Sequence, residues 1–306
     1  MSDNNKETAD YSNITEAKPI AFSEADKLEK YKFPIGLEQA IETAILLGQP
    51  LFITGEPGNG KTQAAHKLKS ILNVDIFQFH TKSTSTVQDL LYQYDIMQHY
   101  ADKNIENKVD VKTESYIRKS AFYNAIEYQN NNPDKQCVVL IDEIDKAPRD
   151  FPNDLLHEME KYSFNIKEIS QEFKLNEGAL KPIIIITSNT EKTMPDAFMR
   201  RCVFHHIEFN KSILDGIVNI YDKDDKLQSN KENITKLFTD IRGINGLNKK
   251  PGIAEFISWI VVVSQGKQYN DSVLMNVLLK NQSDINLCKH LFLDNTNQED
   301  PKSKSE

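Results

Sequence analysis

The sequence predicts an α/β fold, in which a parallel β-sheet covered by helices is followed by a small all-helical domain. Short apolar runs alternate with helical patterns up to about residue 210. Fully apolar strands that are separated by helices indicate a parallel sheet with covered faces. After residue 210 only helical patterns occur, which predicts that a helical domain follows the sheet.

Five apolar runs are the predicted strands. They lie at residues 51–54 (LFIT), 74–79 (VDIFQF), 138–141 (VVLI), 183–187 (IIIIT) and 203–209 (VFHHIEF). Three stripes at helical spacing predict the helices of the second domain. The stripes consist of Ile213, Leu214, Ile217 and Ile220, of Ile234, Leu237, Phe238 and Ile241, and of Ile253, Phe256, Ile257 and Ile260. We predict an α/β domain over residues 21–210 and a helical domain over residues 211–293, between polar tails at residues 1–20 and 294–306.

Composition and charge restrict the class of protein. Of the 306 residues, 39% are hydrophobic and 27% are charged, an ordinary balance for a globular chain with a sizeable core. A net charge of −8 argues against a large nucleic-acid surface. The three cysteines lie far apart without a CxxC pair, so neither a disulfide framework nor a zinc cluster is predicted. The polar N-terminus and the short apolar runs predict a cytoplasmic protein without membrane segments.

A glycine-rich loop follows the first predicted strand. It fits G-x-x-x-x-G-K-[ST], the phosphate-binding loop, and consists of Gly55, Glu56, Pro57, Gly58, Asn59, Gly60, Lys61 and Thr62. The glycines let backbone N–H groups turn inward around phosphate oxygens. Lys61 can reach the β- and γ-phosphates of a nucleotide, and the Thr62 hydroxyl can bind Mg²⁺. Strand, loop and helix occur in the order that this site requires, which disfavours an ordinary glycine-rich turn.

The third predicted strand ends directly in acidic residues, in the stretch CVVLIDEIDKAP (137–148). Asp142 is predicted at the carboxyl edge of the sheet, where ligands of α/β proteins bind, and could support Mg²⁺ through coordinated water. Glu143 can orient and deprotonate an attacking water. The alternative is a solvated acidic loop. The phosphate loop about 80 residues earlier favours the metal and catalytic roles over that alternative.

Two further features fit the same site. Asn189 follows the fourth predicted strand and would lie between the phosphate loop and the acids if that strand is inserted between theirs. It could then hydrogen-bond the γ-phosphate or the water. Arg200 and Arg201 close a short helical stretch before the fifth strand, and a paired arginine is either solvent-exposed or an arginine finger of phosphoryl transfer.

The order of these motifs resembles the AAA+ ATPases, and more narrowly the MoxR family. The likeness covers roughly residues 30–265 and is carried by four stretches. They are TKSTSTVQDLLYQYD (81–95), VVLIDEIDKAPRDFPNDLLHEME (138–160), TSNTEKTMPDAFMRRCVFHHIEF (187–209) and KKPGIAEFISW (249–259). The resemblance implies a phosphate-binding AAA+ core with a helical lid, and the cofactors ATP and Mg²⁺.

The resemblance also implies a role for each matching residue. Gly55 to Thr62 is the Walker A motif, and Asp142 with Glu143 is the Walker B motif. Asn189 is the sensor 1 residue. Arg201 is the arginine finger, with Arg200 as the alternative. Lys249 or Lys250 stands at the sensor 2 position, where arginine is commoner in the family and lysine lacks its bidentate fork.

Family members assemble as rings, usually hexamers, and remodel or activate a partner protein. The partner often carries a metal-binding adhesion-type domain. The resemblance further implies an insert within residues 94–114 and a β-hairpin within residues 162–179. Two other functions stay open from the residues alone: a small-molecule kinase, which the helical C-terminal part disfavours, and a nucleotide-dependent switch with little turnover in a signalling or defence assembly.

Overall fold

The structure of the chain is a computed structural model that describes residues 23–103, 112–189, 193–222 and 226–293. Both predicted polar tails lie outside these ranges, as does much of the predicted insert (104–111). No helix within the described ranges is long and apolar enough to cross a lipid bilayer.

Strands and helices alternate in the first part of the chain, and helices alone form the second. The strands are β1 (Leu51–Gly55), β2 (Ile76–His80), β3 (Tyr92–Tyr94), β4 (Ile117–Lys119), β5 (Val138–Asp142), β6 (Ser163–Ile166), β7 (Gln171–Lys174), β8 (Ile183–Ser188) and β9 (Val203–Ile207). The helices of the first part are α1 (Glu24–Lys30), α2 (Leu37–Leu47), α3 (Lys61–Leu72), α4 (Val87–Leu91), α5 (Ile96–Lys103), α6 (Ala121–Asn131), α7 (Phe151–Asp154), α8 (Leu156–Lys161) and α9 (Asp196–Met199). Those of the second part are α10 (Lys211–Tyr221), α11 (Lys231–Gly243), α12 (Ile253–Val263), α13 (Met275–Leu278) and α14 (Gln282–Leu293).

A five-stranded parallel sheet in the order β2-β5-β8-β1-β9 forms the centre of the first part. Strand β8 pairs with β1 on one side and with β5 on the other. The end of β8 therefore lies between the phosphate loop and the acids, which is the condition on which a role for Asn189 was predicted. The parallel sheet and its flanking helices confirm the predicted α/β fold class.

Both faces of this sheet are buried, which explains why its central strands are apolar throughout. Ile53 and Leu140 lie in a cluster with Leu68 of helix α3. Phe52, one residue from Ile53 and therefore on the opposite face, lies in a cluster with Phe122 of helix α6. Helices thus cover the two faces of the sheet, as the sequence pattern predicted.

The helices after β9 build a hydrophobic core of their own. It contains Leu214 of α10, Phe238 of α11, and Phe256 and Trp259 of α12, all fully buried. These residues belong to the apolar stripes of the sequence or flank them. The helical part thus has a core that is distinct from the two clusters on the sheet.

The α/β part also contains two antiparallel strand pairs, which contribute Tyr92, Phe164 and Ile166 to its core. Strands β6 and β7 pair within the range predicted for a hairpin, with Phe164 opposite Phe173. Strands β3 and β4 pair around the predicted insert, with Tyr94 opposite Ile117. Helix α5 lies between β3 and β4, so the described part of the insert is helical.

Candidate functional site

The phosphate loop joins the end of β1 to the start of helix α3, and its backbone requires glycine, as Gly58 and Gly60 show. Gly58 and Gly60 have φ angles of 88° and 86°, in the left-handed region that glycine tolerates best. A Cβ atom at Gly60 would lie 2.7 Å from the ring of Tyr31, and one at Gly58 would lie 2.8 Å from the backbone nitrogen of Ala254. The loop is therefore packed against the segment before α2 and against the first turn of α12.

The Lys61 ammonium lies inside the phosphate loop. Its Nζ atom donates hydrogen bonds to the carbonyl oxygens of Gly55 (2.8 Å) and Glu56 (3.0 Å) and to Oδ1 of Asn59 (3.3 Å). Burial lowers the pKa of Lys61 to about 8, against the attraction of nearby carboxylates, led by Asp145, which raises it. The hydrogen bonds of this cation all go to neutral oxygens, so an anion in the loop could bond to it directly.

Asp142, at the end of β5, accepts hydrogen bonds from two threonine hydroxyls at Oδ1. The Thr62 hydroxyl lies 2.9 Å away and the Thr187 hydroxyl 2.6 Å away. Nδ1 of His80, at the end of β2, lies 3.4 Å from Oδ2. The predicted pair of metal-side residues, Thr62 and Asp142, is therefore in direct contact.

Glu143 follows Asp142 in a left-handed backbone conformation with a φ angle of 57°. Its backbone N–H donates to the Thr187 hydroxyl (2.9 Å), and its carboxylate is paired with the Lys146 ammonium. The backbone N–H of Asn189 donates to Oδ1 of the buried Asp145 (2.9 Å). Hydrogen bonds thus join the ends of β5 and β8 at two points.

A cavity of about 650 Å³ is lined at one end by most of the phosphate loop and by the acids that follow β5. The polar end is lined by Pro57, Gly58, Asn59, Gly60, Lys61, Thr62, Asp142, Glu143, Thr187 and Asn189. The apolar end is formed by Tyr31, Phe33, Pro34, Ile35, Ile213, Gly216, Ile217, Ile220, Tyr221 and Ile257, and the polar or charged residues Lys27, Lys30, Lys32, Gln63, Ser212, Asp215 and Asn219 complete the lining. A volume of this size with charged, polar and apolar lining suits a small ligand that has both charged and apolar parts.

The polar end can hold a hard divalent cation together with an anionic ligand. Mg²⁺ prefers oxygen ligands and is usually bound by one or two protein groups plus substrate phosphates. The Thr62 hydroxyl and the Asp142 carboxylate provide such oxygens beside the phosphate loop. Across the described ranges, no group of three or more His, Cys, Asp or Glu side chains could hold a metal ion by itself. The oxygens of Thr62 and Asp142 therefore fit a Mg²⁺ ion that is bound together with phosphates.

The two predicted arginine fingers lie outside this cavity. Arg200 and Arg201 line a separate pocket of about 160 Å³ that also contains Glu160. The Arg201 guanidinium is paired with the Glu160 carboxylate and donates to the carbonyl oxygen of Ala197 (3.0 Å). Neither arginine is among the residues that line the large cavity within the same chain.

The structure does not bring Lys249 or Lys250 to the cavity. Both side chains are exposed, and neither residue lines the cavity. The backbone N–H of Lys249 donates to the buried Asp284, which fixes the segment before α12 with both lysines on the surface. These positions follow from the tertiary packing of that segment, and the sensor 2 role that the resemblance implies for one of the two lysines stays a prediction.

Sequence reasoning missed three residues near the phosphate loop. Thr187 bridges Asp142 and Glu143, and its place in TSN was the one available signal. His80 gave no signal, because an isolated histidine at a strand end has no recognisable pattern. Arg242 bonds Glu56 of the loop from helix α11, and a basic residue in the last turn of a helix is ordinary.

Comparison with known proteins gives one family match. The model of a family described as "AAA domain (dynein-related subfamily)" matches residues 50–202, which is half of the chain. No curated protein matches the chain. A solved structure from Cytophaga hutchinsonii, described as a "putative ATPase", aligns with 13% sequence identity and a TM-score of 0.44, over 87% of this chain and 83% of its own. The family match contains the phosphate loop, Asp142, Glu143, Asn189 and both arginines.

Proposed function

The chain belongs to the AAA domain family, dynein-related subfamily, and on that premise we propose that it is a Mg²⁺-dependent ATPase of the MoxR type. One observation carries the proposal: Lys61, Thr62, Asp142 and Glu143 converge at one end of a single cavity. Each of these groups has a function in phosphoryl transfer, and together they leave room for a triphosphate between them. We also propose that the chain is divided into an α/β domain, which ends near residue 210, and a helical domain after it.

ATP would lie along the length of the cavity. The triphosphate would occupy the loop, where Lys61 and the N-terminus of α3 attract negative charge. The base and ribose would lie at the apolar end, between the segment of Tyr31 to Ile35 and helix α10. The volume of about 650 Å³ supports a ligand of nucleotide size.

Hydrolysis would use groups at the ends of β5 and β8. We assign Glu143 the role of general base for the attacking water, and Asn189 the orientation of that water or of the γ-phosphate. Mg²⁺, which Thr62 and Asp142 would support, neutralises charge on the β- and γ-phosphates when bound. Thr187 would keep Asp142 and the backbone of Glu143 in fixed positions through its two hydrogen bonds.

The remaining groups suggest assembly into a ring. Arg201, or Arg200 beside it, is the proposed finger. Both line a pocket that is separate from the large cavity of their own chain, which supports action on the site of a neighbouring subunit. We propose a homo-oligomeric ring, most simply a hexamer, that couples hydrolysis to remodelling of a partner protein. A partner with a metal-binding adhesion-type domain is the first one to test.

The variant Glu143→Gln tests the proposal. It keeps the shape of the side chain but cannot take a proton, and a general base contributes on the order of 10²- to 10⁴-fold to rate. We expect normal binding of an ATP analogue and turnover slower by at least about 100-fold. Asp150→Asn, a change of an exposed acid outside the cavity, is the matched control and should turn over like wild type. Wild-type turnover in Glu143→Gln would remove this residue from the mechanism.

A second function, a nucleotide-dependent switch with little turnover, is favoured by the pairing of Glu143 with Lys146. A carboxylate that is held by the Lys146 ammonium is less free to contact an attacking water. Measurement of steady-state ATP turnover, with and without candidate partner proteins, separates the two functions. Binding of ATP with negligible turnover under both conditions would favour the switch.

A further inference from the structure

Arg242, near the end of helix α11, forms a two-bond ion pair with an acid inside the phosphate loop. Its Nη2 atom lies 2.8 Å from Oε1 of Glu56, and its Nη1 atom lies 3.1 Å from Oε2. The two residues are 186 positions apart in sequence. The pair thus connects the helical part of the chain directly to the loop that is proposed to bind phosphate.

The Arg242 guanidinium is held on its other sides as well. Nη1 also donates to the carbonyl oxygen of Pro251 (2.5 Å), just before helix α12. The guanidinium carbon lies 3.9 Å from the ring centroid of Phe209, in cation–π contact. The Arg242 side chain is only 15% exposed and that of Glu56 is 34% exposed. This environment fixes the direction of the fork and, through it, the position of the Glu56 carboxylate.

The charge of Glu56 gives this contact a consequence for nucleotide binding. Glu56 lies in a loop that must accept a polyanion, and its own carbonyl oxygen accepts a hydrogen bond from Lys61 (3.0 Å). An uncompensated carboxylate here would repel phosphates and compete with them for Lys61. Arg242 neutralises that carboxylate and holds it on the side of the loop that faces the helical part.

We propose that Arg242 is a positioning residue for nucleotide binding, which acts through Glu56 and does not itself line the cavity. The proposal rests on the proposed function in one respect, that the loop binds a nucleoside triphosphate. According to this proposal, the basic residue through which the helical part acts on the phosphate loop lies on α11. Lys249 and Lys250, by contrast, lie on the surface. The contact of Gly58 with the first turn of α12 joins the same two parts at a second point.

A double-mutant cycle with two ligands tests the proposal. The variants are Arg242→Gln, Glu56→Gln and the combination of both, and the probes are ATP and adenosine, titrated at fixed ionic strength. Arg242→Gln leaves the Glu56 charge uncompensated, so we expect ATP affinity to fall by about tenfold or more, the size expected for one unit charge several ångströms from a polyanion near a protein surface. Adenosine, which carries no phosphate, should bind as it does to wild type. The double variant should recover ATP affinity, because it carries no charge at either position.

Two controls separate this role from a merely structural one. Lys236→Gln removes an exposed cation from the same helix and should leave ATP affinity unchanged. Arg242→Lys keeps the charge but loses the fork, so its ATP affinity should lie between those of wild type and Arg242→Gln. Thermal unfolding of each variant shows whether it is folded.

The outcomes that would overturn the proposal are distinct. Equal loss of ATP and adenosine affinity in Arg242→Gln, or no recovery in the double variant, would mean that Arg242 only holds the two parts together. Wild-type ATP affinity in a folded Arg242→Gln would overturn the inference while the proposed function stands. Failure of the wild-type protein to bind ATP would count against both.

Discussion

At the scale of single residues, the buried carboxylate of Asp142 joins two elements of the candidate site. Asp142 is almost fully buried, and a buried charge is costly unless hydrogen bonds compensate it. Thr62 and Thr187 supply those bonds from two different elements. Glu143, next in sequence, adopts a left-handed conformation that costs a non-glycine residue on the order of 1–2 kcal/mol. Such strain persists where the surrounding structure fixes it and is concentrated at functional sites, which agrees with the role proposed for Glu143.

Lys61→Ala should greatly weaken binding of a fluorescent ATP analogue. Hydrogen bonds to a charged group contribute about 1.5–3 kcal/mol each, so the loss should be at least about tenfold. Lys69→Ala is the matched control, because Lys69 is an exposed lysine two turns further along the same helix. Unchanged affinity in Lys61→Ala would show that the phosphate loop is not the nucleotide site.

At the scale of elements, the start of helix α10 connects the sheet to the apolar end of the cavity. The helix follows β9 directly, and its first turns contribute Ile213, Gly216 and Ile217 to the cavity lining. Asn210 is its N-cap, and the side-chain oxygen accepts hydrogen bonds from the Ile213 N–H (3.2 Å) and the Ser212 hydroxyl (2.7 Å). This capping side chain thus lies at the start of the helix that forms part of the cavity wall.

Asn210→Ala should destabilise the helical part by about 1 kcal/mol, the usual effect of losing an N-cap side chain. The fluorescence of Trp259 reports on this part specifically, because it is the one tryptophan of the chain and lies in the helical core. The midpoint of urea unfolding followed at Trp259 should decrease. Asn210→Asp keeps a capping oxygen and should retain the wild-type midpoint. Equal midpoints for wild type and Asn210→Ala would contradict the capping role.

At the scale of the whole molecule, the proposed arginine finger lies apart from the proposed site of its own chain. The large cavity contains the loop, the acids and Asn189, whereas Arg200 and Arg201 line a different pocket. An arginine finger is worth 10³- to 10⁵-fold in phosphoryl transfer, so a site without one would be slow. In the proposed ring, each subunit would supply an arginine to the site of its neighbour and so complete it.

Mixing two inactive variants tests action between subunits. Arg201→Ala keeps its own Lys61 and Glu143 but offers no finger to its neighbour. Glu143→Gln lacks the general base but still offers Arg201. Each alone should be nearly inactive. When subunits of the two exchange, some interfaces combine an intact Glu143 with an intact Arg201, so ATP turnover should rise above that of either parent.

The control is a mixture of Arg201→Ala with the double variant that carries both Glu143→Gln and Arg201→Ala. This mixture contains no complete interface and should stay inactive. Arg200→Ala, measured alongside, decides which arginine of the pair is the finger. A mixture that stays as inactive as its parents, although its subunits demonstrably exchange, would remove the support for action between subunits.

The sequence by itself determined those features that depend on neighbouring positions in the chain. Apolar runs that are buried on both faces predicted the parallel sheet, and helical stripes predicted the core around Trp259. The spacing of the phosphate loop predicted the turn between β1 and α3, because only glycine fits its left-handed positions. The positions of Asp142 and Glu143 could be predicted because one ends the strand and the other follows it directly, whereas their roles stay predictions.

Only the tertiary structure decided which distant residues meet at the site. The order of strands brings the end of β8 between β1 and β5, so that Thr187 reaches Asp142. Packing of the helical part brings Arg242 to Glu56 and leaves Lys249 and Lys250 on the surface. No local pattern encodes such contacts, because a side chain at a helix end or a strand end has the same sequence neighbours whichever partner it contacts. How the α/β part and the helical part pack around the cavity determines which partner each side chain contacts.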